Sequence, residues 1–373
     1  MFRVSEKKKK KKLGNVAFIV ICTLIGAVIG LVIGASGITI GFLDEMTWVD
    51  NIVFLVSLVI WIILATVVHE FGHLICGWIS GYTFGSFKLG SLSWFIEDNG
   101  MIKFKRSKNF ALGQCLMIPP DDEAEFKFLL YNLGGAIFNF LIGMTMLLFW
   151  YLLPTGHLLN GFAMAGVAFN FIFGIINLIP IRSQGNDGAN IVEALKSADG
   201  RRAFYLLLYI NGQRMQGKRL IEIDRDIIRI YGKLDTNSFL VGNALMYEVE
   251  YLMDIGRVEE ALEICKSVNV ENYPVIHRNL FSLYQVMIHL TYLPNLEKAK
   301  EIYEEKAFKA FLKLKLPSIT AVQIAYEFFV NNNREEAEKL LAQAKKGAAN
   351  IPNTGERLEM IDYLAHLEEK MVM

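Results

Sequence analysis

The chain has 373 residues, 38 basic and 38 acidic side chains and zero formal net charge, so it can hold two or three domains and lacks the basic excess of a nucleic-acid binder. Its mean hydropathy of +0.34 averages two unlike halves, an apolar N-terminal one and a charged C-terminal one. The four cysteines, Cys22, Cys76, Cys115 and Cys265, show no C-x-x-C pairing, which argues against a disulfide framework and suits reduced thiols facing a cytoplasm.

The first fourteen residues are basic, with six consecutive lysines from Lys7 to Lys12. Residues 13–43 then carry no charged side chain. This run exceeds the roughly 7–15 apolar residues of a signal-peptide core, so it reads as an uncleaved anchor. The lysines hold the N-terminus in the cytoplasm and attract anionic headgroups.

Four apolar segments stand out, at about 15–42, 51–80, 128–153 and 158–181. Each is long enough to cross the roughly 30 Å hydrocarbon core of a bilayer. The second contains His69-Glu70-Phe71-Gly72-His73, the H-E-x-x-H pattern of zinc peptidases. Helical spacing of four puts both imidazoles on one face, where they can share a metal while Glu70 handles a proton. Ionisable groups in an apolar span are costly and mark function by default.

Residues 81–120 are punctuated by glycines, and Asp98-Asn99-Gly100 marks a turn, so this stretch reads as a β-hairpin insertion. The acidic cluster Asp121, Asp122, Glu123 and Glu125 is expected to start the next helix, where negative charge suits the dipole; a carboxylate metal site is the weaker alternative. With the N-terminus inside, alternate crossings bring Lys103, Lys105, Arg106, Lys108 and Arg182 to the cytoplasmic side and leave the His157 turn outside. A third metal ligand is expected at the same depth as the histidines. Asp187, in Asn177-Leu-Ile-Pro180 followed by Asn186-Asp187-Gly188, is the candidate, with Gly185 and Gly188 letting the backbone bend.

Beyond residue 190 the chain reads as a helical domain whose last part repeats every 38 residues, with Ala261, Ala299 and Ala337 in register behind the turn-forming Gly256, Pro294 and Asn332. These units resemble tetratricopeptide repeats, although the usual period is about 34. The resemblance implies stacked helical hairpins with a concave surface for a cytoplasmic protein or peptide partner. An unrelated array of helical hairpins is the alternative, and residues 355–370 would cap either one.

HEFGH in one apolar helix and N-x-x-P with D-G after a later one resemble the site-2 protease family of intramembrane zinc peptidases, over roughly residues 50–190. The resemblance implies zinc held by His69, His73 and Asp187, with Glu70 as catalytic base. Six residues separate Pro180 from Asp187, more than the family's commonest spacing. Gly134-Gly135-Ala136-Ile137-Phe138-Asn139 resembles the family's Gly-rich stretch, so Asn139 would contact the substrate backbone or the oxyanion; an interhelical hydrogen bond is the other reading.

The expected architecture is mainly α: a multi-pass membrane helical bundle with a small β-hairpin insertion, followed by a soluble α-helical repeat (solenoid) domain. Its parts are a basic N-terminus at 1–14, a transmembrane peptidase domain at 15–190 and a cytoplasmic repeat domain at 191–373. The expected function is zinc-dependent endoproteolysis of a transmembrane or signal-peptide-like substrate at the cell membrane, with the N-terminus and the repeat domain cytoplasmic. A membrane-anchored scaffold with a non-catalytic metal site is the rival. A metal-dependent transporter fits poorly, because further acidic residues are missing from the spans.

Overall fold

The structure is a computed structural model that describes residues 48–154, 159–230, 234–314 and 316–372. The lysine run, the first apolar segment and His157 lie outside the described residues.

The chain is mainly helical. Helix α1 (Trp48–Ile79) has apolar residues on all sides and no proline to interrupt it. It stops at Gly81 (φ 87°), where the amides of Gly81 and Tyr82 turn back to the carbonyls of Trp78 and Gly77. That left-handed closure is one glycine permits at little cost. Helices α2 (Phe128–Leu152) and α3 (Leu159–Leu178) share this composition. All three are long and apolar enough to cross a membrane. The shortest of these spans, 20 residues, rises about 30 Å at roughly 1.5 Å per residue.

Strands β1 (Thr83–Ile96) and β2 (Ile102–Ile118) form a two-stranded antiparallel sheet, the hairpin expected within 81–120. Gly100 (φ 79°) makes the turn, where Asn99 Oδ1 accepts from the Met101 amide at 2.9 Å. Irregular register near Phe84, Gly90 and Leu92 bends the ribbon.

The acidic cluster does not start α2. Asp122 caps a short 3₁₀ turn (Glu123–Glu125), and the helix begins only at Phe128. The buried ring of Phe126 explains the break, since it packs among Tyr82, Phe128, Phe204 and Tyr205. Glu123 pairs with Arg202.

By internal contacts the chain divides into two compact units. In the first, whose described residues fall within 48–63 and 143–169, Trp61 Nε1 donates to the Phe162 carbonyl at 2.8 Å. Gly166 makes room for the Trp61 ring.

The second unit holds Leu64–Ile142 and Asn170–Met373. In it α1 and α2 cross at their glycines: a Cβ on Gly72 would lie 2.2 Å from the Gly134 carbonyl oxygen. Small residues at such a crossing let two backbones touch. Helices α4 (Asp187–Lys196) and α5 (Ala198–Met215) follow, and α5 packs on β2.

After the short α6 (Arg225–Ile228) come three helical hairpins. They are α7 (Phe239–Asp254) with α8 (Val258–Ser267), α9 (Val275–Thr291) with α10 (Leu296–Tyr303) and the short α11 (Lys306–Phe311), and α12 (Pro317–Phe329) with α13 (Arg334–Ala348). Helix α14 (Thr354–Val372) closes the row. The second and third turns are built alike: Asn295 and Asn333 cap their helices, and their amides reach back to the carbonyls of His289 and Glu327. The first turn uses Gly256 (φ 77°) instead. Ala261, Ala299 and Ala337 are fully buried at equivalent places in the second helix of each pair. The buried Arg214 of α5 pairs with Glu250 of α7 and with Glu359 of α14, tying the last helix back to α5.

Overpacking the inter-helix contact at Ala299 is expected to be costly. Ala299→Leu should destabilise the helical part by about 1–3 kcal/mol, whereas Ala342→Leu, at an exposed position, should change it by less than about 0.5 kcal/mol. Thermal unfolding of the detergent-solubilised variants checks both.

Candidate metal centre

His69 and His73 lie one turn apart on α1, and Asp187 is the first residue of α4. Their ligand atoms converge. His69 Nε2 is 3.0 Å and His73 Nε2 is 3.3 Å from Asp187 Oδ2, and the two imidazole nitrogens are 3.2 Å apart. Both histidines are buried. Among the described residues this is the group of His, Cys, Asp and Glu side chains arranged to hold a metal ion. The acidic cluster at 121–125 is not part of it.

The neighbours of the imidazoles fix which nitrogen faces the centre. Asn139 Nδ2 donates to the Ala65 carbonyl and to Asn170 Oδ1, both at 3.0 Å, so the amide oxygen is the end presented to His69. His69 Nδ1 therefore donates to Asn139 Oδ1 at 2.8 Å. His73 Nδ1 donates to the Tyr131 carbonyl at 2.8 Å. With both Nδ1 atoms protonated, each neutral ring presents an Nε2 lone pair to the centre. Two lone pairs and a carboxylate oxygen within hydrogen-bond distance repel one another unless a cation joins them. Outer hydrogen bonds that set tautomer and ring angle are typical of metal-binding histidines.

The loop bearing Asp187 is held from within. Asn186 Oδ1 accepts from the amides of Ile181 (3.0 Å) and Ala189 (3.2 Å), while Nδ2 donates to the carbonyls of Ile176, Asn177 and Ile179. One side chain thus closes the end of α3 and caps the start of α4. Gly188 has no room for a Cβ, which would lie 2.3 Å from the Leu178 carbonyl oxygen. Arg182 pairs with buried Glu193 of α4 at 2.7 Å.

A cleft of about 390 Å³ opens at these ligands, walled by Glu70, by Gly113 to Leu116 of β2 and by Phe204 and Leu208 of α5. Glu70 is buried at the wall, and β2 passes over it because residue 113 has no side chain: a Cβ there would lie 2.6 Å from Glu70 Oε1. Gly135 likewise leaves space for the His69 ring, 2.4 Å from where its Cβ would be. Tyr131 Oη donates to the Cys115 carbonyl at 2.9 Å, so that carbonyl points away from β1. In an antiparallel ladder alternate residues face the same edge, so the backbone of Gly113 also faces this edge.

His69, Glu70, His73, Asp187 and Asn139 therefore gather in one region. Asn139 is fully buried, and its amide is engaged by His69, Ala65 and Asn170. Asn170, the capping role of Asn186 and the Tyr131 carbonyl emerge only in the structure. Asn170 was findable, since a polar amide in an apolar span needs a partner. The carbonyl left no trace in residue type.

Comparison of the chain with protein-family models, with curated proteins and with solved structures gave no match.

Asn139→Ala should lower metal affinity by about 10–100-fold, the usual cost of losing an outer hydrogen bond to a ligating histidine. Asn170→Ala, one bond further out, should cost less. Competition with a chromogenic chelator, at unchanged helical content, measures both.

Proposed function

We propose that the chain is an intramembrane zinc metalloendopeptidase of the site-2 protease type, cleaving a transmembrane or signal-peptide-like protein substrate in or near the bilayer. The observation that carries this reading is the convergence of His69, His73 and Asp187 on one point beside Glu70, with both histidines and Glu70 in a helix apolar enough to cross a membrane. Zinc bonds of about 2.0–2.2 Å place tetrahedral ligands roughly 3.3–3.5 Å apart, close to the 3.0–3.3 Å separations here. Two imidazoles and one carboxylate also leave a fourth position open, as hydrolytic zinc sites require.

A zinc ion held there supplies Lewis acidity, polarising the scissile carbonyl and bringing the pKa of water toward about 7. Glu70 takes the proton of the attacking water and returns it to the departing amide nitrogen as the C–N bond breaks. His69 and His73 are kept at the right angle by Asn139 and Tyr131, so Asn139 acts as a positioning residue. A helical substrate hides its carbonyls in its own hydrogen bonds and must unwind first. The edge of β2 at Gly113 then offers backbone groups to an extended peptide beside Glu70, by strand addition.

In this reading the protein is a multi-pass protein of the cell membrane with its N-terminus and helical domain in the cytoplasm. The paired helices around Ala261, Ala299 and Ala337 act as a tetratricopeptide-like solenoid that recruits a protein or peptide.

Detergent-purified wild type should hold about one zinc per chain, and His73→Ala and Asp187→Ala should lose most of it. Glu70→Gln should keep the zinc and abolish cleavage of co-expressed, tagged single-pass substrates. A folded wild type without zinc, or a Glu70→Gln variant that still cleaves, would overturn the proposal.

A further inference from the structure

The distal half of the β hairpin wears its polarity inside out. The strand register pairs Leu92 with Arg106, Trp94 with Phe104 and Ile96 with Ile102, and directly opposite residues share a face. That face is therefore an apolar ladder ending in one arginine. It is also the more open face: Ile102 is 61% exposed and Phe104 is 55% exposed, with Met101 at the tip more exposed still, while Trp94 and Ile96 are half-buried. On the other face Ser93 and Phe95 are covered, while the lysines opposite them are half-buried (Lys105) and exposed (Lys103). A two-stranded ribbon in water would turn its apolar side to the protein and its serine and lysines outward. A contiguous apolar face of this kind marks a binding surface.

The position of the ladder indicates what covers it. Phe104 and Trp94 lie 5.2 Å apart between ring centres, Trp94 and Phe87 6.2 Å, and Phe87 and Phe71 5.5 Å. Phe71 belongs to α1 and is itself largely exposed, as are Trp78 and Ile79 further along that apolar span. The ladder is thus linked, through the buried ring of Phe87, to the exposed side of a helix suited to lipid. Its charge is complementary to an anionic leaflet: residues 83–118 hold five basic side chains, Lys88, Lys103, Lys105, Arg106 and Lys108, against two acidic ones, Glu97 and Asp98. Lys103 pairs with Glu97, and Lys105 donates to the Asn350 carbonyl at 2.8 Å. Arg106 stands on the ladder itself. Tryptophan and phenylalanine beside arginine and lysine suit the headgroup boundary, where rings sit in the interface and cationic heads reach the phosphates.

We propose that the Leu92–Trp94–Ile96–Ile102–Phe104 face is a membrane-docking surface seated at the headgroup–acyl boundary of an anionic leaflet. It rests on the reading of α1 as a membrane span. The bilayer then holds the far end of β2, the strand whose Gly113 lies over Glu70.

The test uses the full chain in nanodiscs of mixed phosphatidylcholine and phosphatidylglycerol. A photoreactive benzoylphenylalanine replaces Phe104, or in a second variant Ile102. It also replaces Leu55, which lies on the exposed side of α1, as the membrane reference, and Leu296 on α10 as the aqueous one. After illumination, intact mass identifies the adduct. Phospholipid adducts are expected at positions 104, 102 and 55 and not at 296, with phosphatidylglycerol severalfold enriched at 104 relative to 55. Lipid at 55 with none at 104 and 102, or a cross-link there to a second copy, would overturn the docking face and leave the membrane reading standing. Absence of lipid at 55 as well would remove that reading itself. Lipid at 104 without enrichment would overturn the anionic preference.

Discussion

Three electron pairs aimed at one point are the constraint around which the second unit is organised. His69, His73 and Asp187 come to within 3.0–3.3 Å of one another, where bare lone pairs repel unless a proton or a metal ion lies between them. The surrounding residues make the arrangement affordable by fixing everything else. Asn139 and the Tyr131 carbonyl take the two Nδ1 protons. Gly135 leaves room for one ring, and the Gly72–Gly134 crossing sets how closely α1 and α2 approach. Each of these fixes an angle or a distance, and none supplies a ligand. A cation bound between the three groups would relieve their repulsion, and its binding would then be coupled to local folding.

The third ligand depends on parts of the chain that would otherwise read as a separate module. Asp187 opens α4, and α4 packs on α5 and α7. Gly185, two residues before it, sits beside Phe239 and Pro274, the residues that begin α7 and precede α9. The cleft takes part of its wall from Phe204 and Leu208 of α5. The helical hairpins are therefore built into the support of Asp187. A boundary placed near residue 190 by composition falls inside α4.

Much of this was legible in the sequence, for physical reasons. Runs without charge declared the apolar helices, Asp98-Asn99-Gly100 declared the hairpin turn, and the 38-residue spacing of Ala261, Ala299 and Ala337 declared the paired helices. The His69–His73 spacing and Asp187 pointed to side chains that the fold brings together. What stayed hidden depends on backbone or on distant partners. The orientation of the Asn139 amide follows from Ala65 and Asn170, and no local pattern announces it. The break at Phe126 comes from an aromatic cluster assembled from four parts of the chain. The inverted hairpin is invisible because alternation in sequence tells which residues share a face and not which face is covered.

The candidate ligand set is spread widely along the chain, since Asp187 lies 118 positions after His69. At a synthesis rate of about 5–20 residues per second, the two histidines leave the ribosome roughly 6–24 s before the carboxylate that completes the set. During that interval the nascent chain carries half a centre and no means of closing it. The centre becomes whole only when α4 has formed, and α4 leans on helices made later still. The three side chains can therefore meet only after the helices that support α4 have themselves been made.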